Sequence, residues 1–199
     1  MNDNQKIILN TGVIYVKLIL TTIIGLVSSR IILNALGAND YGLYSVVGGI
    51  VAFLNVIGTT MVSVSYRYLA VELGKGDEGN ANKVYNTVYV IHLVLAICLI
   101  LIGETLGLYY VNNFLNVVDS KVADAQFVLH ISLLTTAISV MSVPANGLII
   151  AREKFIFTSL TEIGVAIMKL VLVVGLGYFV GNRIRAFALI IAAITLVTR

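Results

Sequence analysis

One stretch of sequence decides the fold: Arg30-Ile-Ile-Leu-Asn-Ala-Leu-Gly37-Ala-Asn-Asp-Tyr41-Gly42-Leu-Tyr44. Before it, residues 10–33 form an apolar segment that is long enough, as a helix, to cross a hydrocarbon core of ~30 Å. After it, residues 41–66 form a second apolar segment of similar length. The sequence therefore predicts two membrane spans, with the chain turning back between them.

The composition is typical of a membrane protein rather than of a soluble domain. Hydrophobic residues make up 59% of the 199 residues and charged residues only 12%, and the mean hydropathy is +0.99. Soluble domains carry about twice as many charged residues. The formal net charge of +3 comes from basic residues scattered through short loops, which argues against nucleic acid as a partner. We therefore predict a multi-pass membrane protein.

We predict an all-α, polytopic membrane helix bundle that forms a single membrane domain over residues 1–199. The predicted spans are about 10–33, 41–66, 84–109, 125–150, 158–180 and 186–199, of which the last is incomplete. The polar segment 67–83 is predicted as a cytoplasmic loop, because the excess of Lys and Arg on its side favours a cytoplasmic amino terminus. Pro144 removes a backbone hydrogen bond from the fourth span and predicts a kink. Because the sixth span stops early, we expect a truncated product or a piece of a longer transporter.

Lys17 is the most unusual residue, because it lies inside a segment of membrane-spanning length. At 100° per residue it shares one narrow face with Asn10, Thr21 and Ser28. A charged side chain at the bilayer centre costs roughly 2.5–3.5 kcal/mol and usually faces a bundle interior or a water-filled pathway. The alternative is that Lys17 reaches the cytoplasmic headgroups and that the small polar residues only pack against other helices.

Small or polar residues also recur on one face of the later spans. These faces are Gly48, Ala52, Asn55, Thr59, Ser63 and Tyr66 in the second span; Tyr85, Tyr89, His92, Ala96, Gly103 and Gly107 in the third; Ser132, Thr135, Ser139, Ser142 and Asn146 in the fourth; and Thr158, Glu162 and Lys169 in the fifth. Faces of this kind pack against neighbouring helices or line a wet cavity.

Two carboxyl groups inside predicted spans, those of Glu104 and Glu162, are candidates for coupling proton movement to a conformational change. A carboxyl group buried without a partner tends to retain its proton. Glu162 and Lys169 lie two helical turns apart, so they either share a polar cavity or Glu162 merely neutralises Lys169. His130, on a separate span, is interpreted as a packing or interface residue, as is His92.

The sequence carries no recognisable enzyme chemistry. A membrane enzyme needs paired carboxylates or clustered histidines in a loop where substrate and metal can meet. Asp119 and Asp124 have no histidine near them in sequence and are interpreted as solvated surface, and the single Cys98 lies in an apolar run. We therefore predict no catalytic residues, no metal site and no cofactor.

Three segments that follow the first, second and fourth spans carry a family resemblance. They are Arg30-x-x-Leu33-x-x-Leu36-Gly37-x-x-x-Tyr41-Gly42-x-Tyr44, Arg67-Tyr-Leu-Ala-Val-Glu-Leu-Gly74 and Asn146-Gly-Leu-Ile-Ile-Ala-Arg152-Glu-Lys154-Phe155. With these motifs, the chain resembles the Wzx-type bacterial polysaccharide flippases, which belong to the multidrug/oligosaccharidyl-lipid/polysaccharide export superfamily.

The resemblance implies a fold, a place and an activity. It implies a bacterial cytoplasmic (inner) membrane protein with two six-helix lobes that face each other across a central cavity. Such a protein moves an undecaprenyl-diphosphate-linked oligosaccharide to the outer leaflet by alternating access, for O-antigen or other surface polysaccharide. This chain supplies the first lobe. The implied partners are a second transporter lobe, membrane lipids, and possible polysaccharide polymerases and glycosyltransferases.

The polar faces and the chemistry of such a substrate together predict a binding site. Lys17 and Lys169 are the expected cations for the pyrophosphate. Asn10, Thr21, Asn55 and Thr59 are expected to hydrogen-bond sugar hydroxyls, while Glu162 and Glu104 are the expected ion-coupling residues.

Two other functions compete with the flippase. A drug or metabolite antiporter of the same superfamily predicts a cationic or amphipathic substrate and an acidic cavity, which the two lysines argue against. A non-transporting scaffold or gene remnant is favoured by the abrupt end of the chain.

Overall fold

The computed structural model describes residues 3–76 and 79–199, and within these ranges the chain forms helices and turns without a strand. The helices are α1 (Asp3–Gly74), α2 (Ala81–Asn113), α3 (Asp119–Met141), α4 (Val143–Ala151), α5 (Phe155–Leu176) and α6 (Arg183–Thr198). Helix α1 packs along α3, α4 and α5, while α2 packs mainly on α3. The predicted all-α helix bundle is confirmed.

Helix α1 contains the predicted turn, which consists of one residue rather than a loop. Gly37 has φ 80° and ψ 165°, whereas the residues on both sides are helical. Glycine reaches such a positive φ without the steric cost that a Cβ imposes. Gly37 thus divides α1 into a first arm (residues 3–36) and a second arm (residues 38–74). Ile14 of the first arm and Val62 of the second line one cavity, so the arms fold back on each other.

The first arm shows which side of the helix faces the protein. Ser28 is buried, and Lys17 and Thr21 are half-buried, so the predicted polar face points inward. Large apolar side chains cover the outer face, where Ile8 is 72% and Leu26 is 68% exposed. An exposed apolar surface of this extent is typical of a helix that contacts lipid.

Four helical segments are long and apolar enough to cross a membrane. Within the described ranges they are Ile8–Phe53, Ala81–Asn113, Asp119–Ala151 and Phe155–Leu176. Ile8–Phe53 includes the bend at Gly37. Helix α6 has only 16 residues. These lengths and compositions are compatible with the predicted multi-pass membrane protein.

The predicted polar face of the third span packs against a neighbouring helix, whereas that of the second span does not. In α2, the predicted face is the packed one, because Ala96, Gly103 and Gly107 are buried. A Cβ on Gly103 would lie 2.2 Å from Leu133 Cδ2, so the absent side chain lets α3 approach closely. In the second arm of α1 the predicted face is not the packed one, since Ala52, Ser63 and Tyr66 are exposed and Gly48 is only half-buried. There, Leu43, Val47, Val51, Ser65 and Leu69 are buried instead.

The kink predicted at Pro144 is confirmed as a helix break. Helix α3 ends at Met141 and α4 begins at Val143, which places the proline in the first turn of α4. A first-turn proline does not remove a helical hydrogen bond, because the amide groups of that turn have no intrahelical acceptor.

A charged cluster joins three helices near the bend of α1. Asp124 is only 5% exposed, and its Oδ1 accepts hydrogen bonds from Asn182 Nδ2 and Arg185 Nε, both at 2.7 Å. Lys121 Nζ lies 2.6 Å from Asp40 Oδ1 and 3.7 Å from Asp124 Oδ2. The interpretation of Asp124 as solvated surface is wrong, because its carboxylate is buried and accepts hydrogen bonds from the first turn of α6 and from the residue that caps this helix. We call these five residues the Asp124 cluster.

Candidate functional site

An ion pair between two apolar helices forms the centre of the candidate site. Lys17 Nζ, on the first arm of α1, lies 2.9 Å from Glu162 Oε2 on α5. The Lys17 side chain is 18% exposed and that of Glu162 is 58% exposed. The ammonium group therefore lies between helices beside a carboxylate, rather than extended toward the end of α1.

Two cavities adjoin this ion pair, with volumes of about 690 Å³ and 370 Å³. Both are lined by Asn146, Thr158, Glu162 and Arg199. The smaller cavity also reaches Lys17, and the larger one is completed in part by Thr21 and Thr161. We call the two cavities together the Lys17 site.

The chemistry of the Lys17 site is that of a polar, charged cavity within an apolar bundle. Lys17 and Arg199 are cationic, Glu162 is a carboxylate paired with Lys17, and Asn146 and Thr158 offer both donors and acceptors. Charge-assisted hydrogen bonds from such cations to phosphate are stronger than those between neutral groups. The arrangement can hold an anionic head and hydrogen-bond the hydroxyl groups attached to it.

The structure does not bring Lys169 into this site. Lys169 is half-buried, lines neither cavity, and has no ion pair to Glu162 in the described part of the chain. Glu162 therefore does not neutralise Lys169, and the two residues do not share either of these two cavities. Two helical turns separate the residues by about 10 Å along the axis, whereas Lys17 meets Glu162 at the same height on a neighbouring helix.

The predicted sugar-binding residues have different positions. Thr21 lines the larger cavity, although its hydroxyl also donates to the backbone oxygen of Lys17 at 2.8 Å. Asn10 is half-buried on the same helix and lines neither cavity. The side chains of Asn55 and Thr59 lie outside the described residues, so their prediction stays open.

Glu104 lies elsewhere in the bundle, where it pairs with a histidine. Its Oε1 is 2.8 Å from His130 Nδ1, across the packing of α2 on α3, and it lines neither cavity of the Lys17 site. His130 is 48% exposed and bonds to this carboxylate on the neighbouring helix, which agrees with its interpretation as an interface residue. Glu104 and His130 lie a similar number of residues before and after the α2–α3 connection. In two antiparallel helices this spacing places them at the same height, so the sequence did contain a signal for their contact.

Several residues of the Lys17 site were not among the predicted binding residues, among them Thr158, Asn146 and Arg199. Asn146 did carry a signal, because it ends the polar face of the fourth predicted span. Arg199 carried no such signal, because the sequence of α6 does not indicate which helix α6 packs against. The contact between these two elements is a property of the tertiary fold.

The comparisons with known proteins give no match: no family model, no curated protein sequence and no solved structure is significantly similar to this chain. The resemblance to the polysaccharide flippases therefore rests on the sequence motifs alone.

Proposed function

We propose that this chain is one lobe of a bacterial inner-membrane transporter that flips an undecaprenyl-diphosphate-linked oligosaccharide. The transporter serves the synthesis of surface polysaccharide, and its amino terminus is cytoplasmic. The observation that carries the proposal is the Lys17–Glu162 ion pair at 2.9 Å. This pair borders polar cavities that lie between helices, and the outer faces of these helices are apolar. Charged groups kept at such a place are usually part of a substrate or ion pathway.

In the proposed mechanism, the pyrophosphate competes with Glu162 for the Lys17 ammonium. Binding of the substrate separates the ion pair and leaves the Glu162 carboxylate, already 58% exposed, free to contact water or an ion. The sugar hydroxyls bond to Asn146 and Thr158, which line both cavities. The prenyl chain stays in lipid along the apolar outer surface.

The second lobe has a defined task in this mechanism. A lobe alone presents its binding residues on one wall, whereas alternating access requires two walls that open in turn. The exposed face of the second arm, with Ala52, Ser63 and Tyr66, is a surface on which such a lobe could pack. Glycosyltransferases are expected to act before the transport step and polysaccharide polymerases after it.

One observation favours a second candidate function, a drug or metabolite antiporter. Glu162 lines both cavities, and a carboxylate that is more than half exposed can attract a cationic substrate. In that case Lys17 neutralises Glu162 until the substrate displaces it.

Removal of the Lys17 amine separates these functions. In cells that depend on the complete transporter, we expect Lys17→Ala to abolish surface glycan while the protein still inserts in the membrane. Lys154→Ala is the matched control, because Lys154 is exposed in the turn before α5. Normal glycan from Lys17→Ala would contradict the flippase. Loss of cationic-dye efflux in Glu162→Gln with intact glycan would support the antiporter.

A further inference from the structure

A third cavity lies apart from the Lys17 site, between the second arm of α1 and the beginning of α2. Its volume is about 420 Å³, and it shares no lining residue with the other two cavities. Most of its wall is apolar, with side chains from both helices: Met61, Val64, Val84, Val88 and Ile91. We call it the Lys83 cleft, after the cation at one end.

Lys83 is held at the positively polarised end of α2. Asn80 caps this helix, because its side-chain oxygen accepts a hydrogen bond from the Lys83 amide at 3.1 Å. The Asn80 amide in turn donates to Glu72 Oε2 at 2.8 Å. The Lys83 side chain is exposed and has no ion pair with any residue that the structure describes. A lysine in the first turn of a helix adds its charge to the positive end of the helix dipole.

The nearby Glu72 does not neutralise Lys83. Its carboxylate accepts hydrogen bonds from Lys75 Nζ and from the Asn80 amide, and these two bonds hold the pKa of Glu72 below its usual value. The carboxylate is therefore already engaged. The mouth of the cleft keeps a net positive character among the described residues.

His92 lies at the other end of the cleft and is incompletely bonded. Its Nδ1 lies 2.8 Å from the Val88 backbone oxygen and donates to it, because a carbonyl oxygen can only accept. His92 is only 2% exposed, and Nε2 is buried without a hydrogen-bond partner in the described structure. A buried polar atom without a partner costs about 1–3 kcal/mol. The two helices alone therefore leave one polar atom at this end of the cleft unsatisfied.

We propose that the Lys83 cleft binds one anionic phospholipid of the surrounding membrane. The lipid phosphate bonds to the Lys83 ammonium, which lies just outside the predicted span 84–109, at the level of the headgroups. One acyl chain follows the apolar wall from Lys83 toward His92, a distance of about 13 Å along α2. Charge complementarity selects the anionic headgroup, and this binding is independent of any transported substrate.

The test compares lipid binding to the purified 199-residue chain in detergent by native mass spectrometry. We expect phosphatidylglycerol to bind about fivefold more tightly than phosphatidylcholine with the same acyl chains, the effect of one surface lysine on an anionic lipid. Lys83→Gln should abolish this preference. Lys154→Gln, which removes an exposed lysine from another turn, should retain it.

A second variant tests the apolar wall without a change of charge. Val88→Phe fills the cleft and should weaken binding of both lipids, while circular dichroism verifies that helix content is retained. If Val88→Phe does not fold, the comparison of Lys83→Gln with Lys154→Gln decides alone.

Three results would overturn the proposal. The first is equal binding of the two phospholipids to the wild-type chain. The second is an equal loss of preference in Lys83→Gln and Lys154→Gln. The third is displacement of phosphatidylglycerol by an equal concentration of polyprenyl phosphate, which would assign the cleft to an isoprenoid lipid instead.

Discussion

At the scale of single residues, the Lys17–Glu162 pair shows how a charge between two apolar helices is stabilised. An ammonium group that is only 18% exposed loses much of its hydration, and the carboxylate compensates for that loss. The partner is more exposed, so water screens part of the interaction. The pair is therefore a structural contact that stabilises Lys17 between the helices, and in the proposed function it is also the contact that an anionic ligand opens.

Glu162→Gln should destabilise the protein by about 1–2 kcal/mol, because it leaves Lys17 between helices without a counter-charge. Thermal unfolding in detergent, followed by circular dichroism, measures this change. Glu153→Gln is the matched control, since Glu153 is exposed in the α4–α5 turn and should melt like the wild type. Equal melting temperatures for all three proteins would show that the ion pair contributes no stability.

At the scale of elements, the two arms of α1 depend on one backbone conformation. Each arm is a regular helix whose amphipathic or apolar pattern extends over many residues. The change of direction, by contrast, depends on Gly37 alone among the residues of α1. Replacement of that residue therefore tests the hairpin without altering any side-chain contact.

Gly37→Ala should cost about 1–3 kcal/mol, because a Cβ is strained at φ 80°. Added bulk is not the cause, since no atom lies within 4 Å of the Cβ that would be introduced. Gly25→Ala provides the control: it is helical and equally uncrowded, so alanine should be neutral or stabilising there by up to about 1 kcal/mol. Denaturant titration of both variants distinguishes strain from helix propensity, and equal effects would argue against strain at the bend.

At the scale of the whole molecule, the Asp124 cluster holds α1, α3 and α6 together at the bend end of the bundle. The Lys17 site lies toward the other ends of α1 and α5. One end of the bundle is thus closed by short polar bonds, while the opposite part contains cavities. Motion of the helices around the cavities can occur with the bend end fixed.

Asp124→Asn should destabilise the protein by about 3 kcal/mol, because it removes the charge that Arg185 and Lys121 face in a buried position. Asp119→Asn makes the same chemical change at an exposed site on the same helix and should alter stability by less than about 0.5 kcal/mol. Hydrogen exchange should show faster opening of the first turns of α3 and α6 in Asp124→Asn only. If the two variants unfold alike, the cluster does not hold this end.

The sequence predicts what depends on local periodicity, and the structure supplies what depends on contact between distant helices. The shared face of Lys17, Thr21 and Ser28 follows from helical spacing alone, and the break near Pro144 follows from the presence of the proline. The partner of Glu162 was predicted wrongly, because spacing within one helix gives no information on the height of its neighbour. The same reason explains the burial of Asp124 by α6.

In the proposed membrane topology, the one-residue bend at Gly37 also bears on how the chain is inserted during synthesis. A loop between two spans would expose several unpaired peptide groups, whereas a turn of one residue exposes few. With the proposed cytoplasmic amino terminus, the two arms would leave the translocon together as a preformed hairpin. The second arm would then assist insertion of the first arm, whose lysine disfavours lipid.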